Sequence, residues 1–343
     1  MIHKKNSLIW LVCLLFIVAL LAGCGGGTKP AADGKPAADA KPINLIAYNP
    51  MPPSSVPTQT LIKFAEIAEK NSNGRLKFTV KHSGQLGSDR EGIESAKMGT
   101  IDVIISGTGM YSSFYDKVKI FDLPFLFTDA KQARKVVNGP IGERIFKDLN
   151  KQGFVYLGTG DNGMRQVSSK RKIQTVDDVK GLKIRLPEMP TYLAVWKSWG
   201  STPVPIPVSE LYMSLKTGVV EAQDNAPYHT VATKCYEVQP NFAMINYMWM
   251  GLTAAMNEKK FNSLPPDLQK VIKDAAIEAT NWSFDAIEKA DQDAFKVMKE
   301  AGVDVNMTPD RASFMKNLPA IYAQFNKEAW FDQKLIDEIK AVK

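Results

Sequence analysis

Cysteine and histidine are scarce in this 343-residue chain, with three of each. Cys13 and Cys24 lie in or beside an apolar N-terminal segment, so Cys235 stands alone in the body of the chain and no intrachain disulfide can form there. Only His82 and His229 remain to activate a nucleophile, and Cys235 is expected to be a small buried apolar residue. His, Cys and acid spacings of the metal-binding kind are missing, as is a Gly-x-Ser-x-Gly elbow, so neither a metal, a cofactor nor serine-type catalysis is expected. Basic patches interleaved with aromatics are absent too, and nucleic acid is not an expected partner.

What is present begins with a leader. Lys4 and Lys5 precede an apolar run, Leu8 to Leu21, and Leu21-Ala22-Gly23 leads into Cys24. A basic start, a short apolar run and a small-residue cut site describe a secretory signal over residues 1–23. The run is shorter than the roughly 20 residues a spanning helix needs, although an uncleaved membrane anchor is the alternative. A cysteine directly after Leu-Ala-Gly resembles the lipobox of bacterial lipoproteins, which implies lipidation of Cys24 and a folded part held outside the cytoplasm by a membrane anchor. Residues 24–41 (CGGGTKPAADGKPAADAK) cannot build a core and read as a flexible tether. Cleavage would take Lys4 and Lys5 and no acid, lowering the net charge of +7 by two. The remaining excess comes from scattered lysines and favours an anionic ligand or lipid surface only mildly.

The length left suits two lobes better than one core. Ile43 to Tyr48 reads as a strand, followed by a proline-rich loop over 48–58 and a helix over Thr58 to Lys70. Leu76, Phe78 and Val80 alternate as in a half-buried strand; a helix over Asp89 to Met98 and an apolar strand over Asp102 to Ile105 follow. That alternation is the grammar of an α/β sheet. Phe154 to Leu157 and Leu182 to Leu186 are further strands, and Gly158 to Gly163 reads as a turn rather than a phosphate loop, because no Lys-Ser/Thr follows the glycines. Pro265 to Ala301 is helical throughout, either one helix crossing both lobes or two broken near Asn281. Arg311 to Asn326 is a last helix before a lysine-rich tail.

Enzymatic chemistry finds little material. Glu221 and Asp224 are three residues apart, but nothing nearby would drive their pKa values apart, and His229 is better read as a hydrogen-bonded structural residue. Binding has more. In Leu182 to Leu186 the leucines and Ile184 face one way, so Lys183 and Arg185 face the other, toward solvent or a cleft. A guanidinium is a planar fork of donors that matches a carboxylate and stays charged. Arg185, Arg165 and the Asn225 amide together suit an anion withdrawn from water, although each arginine read alone is more readily a solvated surface group.

Several separated motifs share one resemblance. Asp178 to Pro187 (DVKGLKIRLP), Gly200 to Pro205, Ser209 to Tyr212 and Gly218 to Pro227 (GVVEAQDNAP) resemble the DctP-type solute-binding proteins, the extracytoplasmic receptors of tripartite ATP-independent periplasmic (TRAP) transporters. Gly84 to Gly87, Gly99 to Asp102, Asp122 to Phe125 and Leu264 to Ala276 fit the same pattern, which spans nearly all of Ile43 to Lys343. The resemblance implies an α/β fold of two lobes linked by strands and a long helix, with lobe I over 42–162 plus about 251–290 and lobe II over 163–250 plus about 291–343. It implies an organic-acid ligand clamped by Arg185, assisted by Arg165 and Asn225, and delivery to TRAP membrane permease subunits. Sialic-acid-binding relatives carry a phenylalanine at the position of Val208 and a glutamate where Gly107 falls, so sialic acid is not the expected ligand. Tyr192, Trp196, Tyr247 and Trp249 stand near the clamp in sequence and are candidates for an aromatic wall, with core packing as the alternative. Asn49, in the 48–58 loop, is a candidate at the edge of a lid. A sensor module, or less readily an α/β enzyme acting on an organic acid, are the competing readings.

Overall fold

The computed structural model describes residues 41–343, so the leader, Cys24 and nearly all of the tether lie outside the described residues. Among the described residues, eleven strands form two sheets: β1 (Ile43–Tyr48), β2 (Leu76–Lys81), β3 (Val103–Gly107), β4 (Phe154–Met164), β5 (Gln166–Ser169), β6 (Lys183–Leu186), β7 (Thr202–Pro205), β8 (Ala222–Asn225), β9 (Asn241–Ala243), β10 (Trp249–Asn257) and β11 (Asp304–Asn306). The first sheet runs β2-β1-β3-β10-β4 and the second β11-β9-β5-β8-β6-β7. The expected α/β architecture is present.

In the first sheet β1 pairs in parallel with β2 and β3, and helices Val56–Asn71 and Asp89–Met98 make the crossovers. Their ends follow from local chemistry. Ser55 caps the first helix and Pro57 occupies its first turn. Ser88 and Glu91 form a capping box on the second, and Gly99 closes it in the left-handed region. In the second sheet β6 lies parallel to β7 and β8, while β5 runs antiparallel to β8 and β9.

The chain passes between the sheets where β4 runs through Arg165 into β5, and again from β9 to β10. The Arg165 amide donates to the Met248 carbonyl at 2.8 Å, tying the two crossings together. Pro266–Glu300 is one unbroken helix, which settles the choice at Asn281. Its residues Leu268, Ile272, Ala275, Ala276 and Ala279 join Leu252, Ala254 and Met256 of β10 in one apolar core.

Two expectations are corrected. Gly158 to Gly163 is not a turn but the second half of β4. Glycine is needed there because the strand runs directly beneath the long helix: a Cβ on Gly160 would collide with the Ser283 hydroxyl and stand 2.5 Å from the Thr280 carbonyl oxygen. The pattern read from Arg311 to Asn326 is two helices, Arg311–Met315 and Leu318–Phe325. Pro319 cannot sit in a helix interior and instead takes the first turn of the second. The tail is itself helical over Gln333–Ala341, burying Leu335, Ile336 and Ile339.

Candidate functional site

A cleft with about 630 Å³ of empty space, part of it open to solvent, collects residues from the carboxyl ends of strands in both sheets. Asn49 follows β1, Gly107 ends β3, Arg185 lies on β6 and Asn225 ends β8. Arg165, Tyr192 and Val208 complete the expected residues found on its wall. Met51 and Pro57 bring the 48–58 loop to the same opening.

The two arginines are held differently. Leu182, Ile184 and Leu186 are fully buried on the core face of their strand, so Arg185 projects from the other face into the cleft, only 3% exposed. Its Nε donates to the Ile206 carbonyl at 2.7 Å, and among the described residues it makes no other hydrogen bond and no ion pair. Burial, and then the neighbouring Arg165 charge, pull its pKa down to about 10, with Asp224 and Asp89 opposing only in part. Arg185 is therefore a dehydrated cation with unused donors.

Arg165, equally buried, is already paired. Its Nε and Nη2 reach the two carboxylate oxygens of Asp224 at 2.5 and 2.6 Å, and Nη2 also reaches the Asp224 carbonyl at 2.7 Å. Burial works against the charge, but the Asp224 carboxylate outweighs it and holds the guanidinium well above its ordinary pKa. The ring of Tyr192 lies 4.6 Å from the guanidinium carbon, completing a cation–π contact. Its fork is thus spent on the protein, unlike that of Arg185. Asp224, already set aside as half of an acid/base pair, is the counter-ion of Arg165.

The amides divide in the same way. The Asn49 carbonyl oxygen accepts from the Met51 amide at 3.0 Å and the Thr58 hydroxyl at 2.8 Å, while its Nδ2 donates to the Ile105 carbonyl at 2.8 Å, so Asn49 chiefly shapes the loop. The Asn225 side chain makes no hydrogen bond to the described residues and faces the cleft.

Tyr247 and Trp249 do not line the cleft. Both are buried one layer behind it. The Tyr247 hydroxyl donates to Asp224 and accepts from Trp196 Nε1 at 2.9 Å, while Trp249 Nε1 donates to Asp161 at 2.7 Å. The aromatic wall therefore reduces to Tyr192; Tyr247, backed by Trp196, supports the Asp224 that holds Arg165, while Trp249 supports Asp161. Cys235 is fully buried in a small apolar cluster, as expected. His229 also borders the cleft, its Nε2 within 2.7 Å of the Tyr228 hydroxyl and 3.0 Å of Asn162 Oδ1. Burial, then Arg165 and Arg185, push its pKa down to about 3, so the ring is neutral.

Three lining groups were not among the expected site residues, although Asp122 stands in one of the family motifs. Asp89 opens the Asp89–Met98 helix, accepts from the Ser106 hydroxyl at 2.5 Å, and has its pKa raised by burial against the opposing pull of Ser106 and Arg185. Asp122 is 3% exposed, and burial pushes its pKa up to about 8 against the pull of Arg165. Gly109 is the place where Met189 and the Asp122 carboxyl approach the main chain, since a Cβ there would strike both.

Comparison with known proteins fits this geometry. Residues 47–328 match the bacterial extracellular solute-binding protein, family 7 (DctP) pattern. A solute-binding protein of Verminephrobacter eiseniae is 31% identical over 81% of this chain and 83% of its own length. The 2,3-diketo-L-gulonate-binding periplasmic protein YiaO of Escherichia coli is 31% identical over 74% of this chain and 77% of its own. A TRAP periplasmic solute-binding protein from Polaromonas, solved with D-erythronate bound, superposes with a TM-score of 0.85 at 30% identity, covering 88% of this chain and 99% of that one. With a match across most of its length, a shared two-sheet architecture and a cleft at the strand ends, the chain belongs to the DctP family of extracellular solute-binding proteins, the receptors of TRAP transporters.

Proposed function

We propose that the cleft captures an organic acid by its carboxylate, with Arg185 as the principal contact and Asn225 beside it, for delivery to TRAP permease subunits. The observation that carries this is the state of Arg185: a guanidinium almost fully buried, with one backbone acceptor and no counter-ion among the described residues. An unpaired buried charge is costly, and a ligand carboxylate accepted by the free end of the fork removes that cost while adding charge-assisted hydrogen bonds. Arg165 contributes its field and one remaining nitrogen, Nη1, which stands beside Met250 Sδ at 2.7 Å.

Residues 42–162 with about 251–290, and 163–250 with about 291–343, are taken as two lobes that close over the acid. Ligand contacts from both sides favour the closed form in proportion to its differential affinity for that state. Residues 1–23 are taken as a leader and Cys24 as the lipidated anchor on the extracytoplasmic face of the membrane, with 24–41 as tether. Nothing in this scheme breaks a bond in the ligand.

Native mass spectrometry of freshly purified protein tests the reading. An acid should co-purify with the wild type, be released chemically unchanged, and be absent from folded Arg185→Ala. Equal retention by the variant would remove Arg185 from its role, and recovery of a transformed product would favour an enzyme.

A further inference from the structure

The end of the first sheet away from the cleft carries a surface in which the solute has no part. The cleft lies at the carboxyl ends of β1 and β3. The opposite end therefore holds the starts of β1, β3 and β4 and the last residue, Asn257, of the antiparallel β10. Met98 projects there with 74% of its surface exposed, the most of any large apolar side chain among the described residues, and Ile46 is exposed nearby at 37%. The mount is rigid. Asn257 Nδ2 donates to the carbonyls of Ala96 and Lys97 at 2.9 and 3.2 Å, and Gly99 closes the helix, so Met98 stands on a capped helix end. Ile46 is tied in through its amide, which donates to the Asp102 carboxylate at 2.7 Å.

Cations accompany these two side chains. Arg75 and Lys151 at this end are balanced by Asp267 and Asp148. Lys41, Lys97, Lys259 and Lys260 make no ion pair among the described residues, against the unpaired acids Asp102 and Glu258. The chain also enters the fold here: Lys41 stands two residues before β1 and 17 residues (41 − 24) after Cys24. A flexible tether of that length spans about 5–6 Å × √17, or about 23 Å, on average. An anchor at Cys24 therefore brings this end to the lipid rather than the cleft. Tethering also raises the effective concentration of the surface to the millimolar range, so a weak contact suffices. Lysines next to an anionic bilayer supply such a contact, and their attraction fades within a Debye length of about 8 Å.

Resting on the lipid-anchor reading above, we infer that this end of the molecule is a docking surface for an anionic phospholipid bilayer. Met98 and Ile46 enter the headgroup boundary, and Lys41, Lys97, Lys259 and Lys260 meet the lipid phosphates. A strand rises about 3.3 Å per residue, so the six residues of β1 hold Asn49, at the cleft, about 20 Å from the strand's start. The contact thus parks the receptor with its solute cleft raised from the lipid. A soluble polyanion would use the lysines but not the exposed Met98, and this favours a membrane as the partner.

The mature chain, purified from membranes and reconstituted into vesicles, tests this with two fluorophore positions. One is Thr100→Cys, exposed beside Met98; the other is Val219→Cys, 48% exposed before the start of β8 in the second sheet. Cys235 is buried and escapes the label. The vesicles contain phosphatidylcholine alone or with phosphatidylglycerol, and carry lipid spin-labelled at the headgroup as quencher. With phosphatidylglycerol the label at 100 should be quenched at least twofold more than the label at 219, and the difference should vanish in phosphatidylcholine alone or in about 1 M salt, where the Debye length falls to about 3 Å. Met98→Asp, and Lys259→Gln with Lys260→Gln, should each remove at least half of it. Equal quenching at both positions, or a difference indifferent to phosphatidylglycerol, overturns the docking surface while a lipid on Cys24 in the intact mass leaves the anchor standing. A mature chain whose mass shows no lipid overturns the anchor and this inference together.

Discussion

Removing Arg185, the proposed principal contact, should not weaken the ligand-free protein. Arg185 is buried with its charge unpaired, and burial with Arg165 repulsion lowers its pKa from the ordinary 12.5 to about 10. Each pKa unit corresponds to about 1.4 kcal/mol, so the charged form is disfavoured in the fold by about 3 kcal/mol relative to water. Arg185→Met keeps much of the side-chain volume and deletes the charge. It also strands the Ile206 carbonyl, which costs about 1–3 kcal/mol. The ligand-free variant should therefore be as stable as wild type or up to about 2 kcal/mol more stable. Urea unfolding with and without the captured acid measures both sides. At a ligand concentration a thousandfold above Kd, wild type should gain about 4 kcal/mol and Arg185→Met nothing. A ligand-free variant more than about 2 kcal/mol less stable than wild type, at unchanged m-value, would show that Arg185 serves the fold and would refute the unpaired-charge argument.

Other substitutions should behave oppositely. Arg165→Met or Asp224→Asn breaks a buried ion pair and should cost about 3–5 kcal/mol in urea unfolding, with or without ligand, whereas an apolar double replacement at both positions should recover most of that loss. Gly160→Val drives a side chain into Ser283 and the Thr280 carbonyl of the long helix, so the urea midpoint should fall by an amount equivalent to about 3 kcal/mol or more; a change under about 1 kcal/mol would contradict the direct strand–helix contact. Asp122 has its folded pKa raised to about 8, so its stabilising contribution is complete below the unfolded carboxylate pKa and is lost as pH rises toward and through 8. Relative to Asp122→Asn, wild type should lose about 1.4 kcal/mol per pH unit between pH 5 and 8, and a difference independent of pH would place the proton elsewhere.

Local chemistry made much of the fold legible. Strand alternation, the apolar face of Thr58 to Lys70 and the unbroken apolar stripe of the long helix all act within a few residues, and each element stands near its expected place. The Gly158 to Gly163 segment was misread because its glycines answer to a helix more than 100 residues later, a contact that no local pattern records. The site divides similarly. Alternation places Arg185 off the core face, but whether that face meets water or a cleft depends on the opposite sheet. Tyr247 and Trp249 are near the clamp in sequence, yet their polar atoms are turned to Asp224 and Asp161 behind it. Asp122 and Asp89 become informative only through burial, which a single carboxyl in a sequence cannot show.

The difference between the two arginines also indicates how capture can be coupled to closure. Arg165 belongs to the crossing between the sheets: its amide is bound to Met248, its fork to Asp224 on β8, and its face to Tyr192. It is fixed where the chain must bend if the lobes move. Arg185 sits farther along the second sheet with its donors free, in a field that Arg165 makes more positive. A carboxylate arriving at Arg185 therefore relieves repulsion between the two guanidiniums as well as pairing with one of them. The relief grows as the cleft sheds water, because the same charges interact more strongly in a less polar surrounding. Under the proposed closure, an anion would favour the closed arrangement for a reason a neutral sugar does not share, and a receptor built this way would discriminate by charge at the same step that traps the solute.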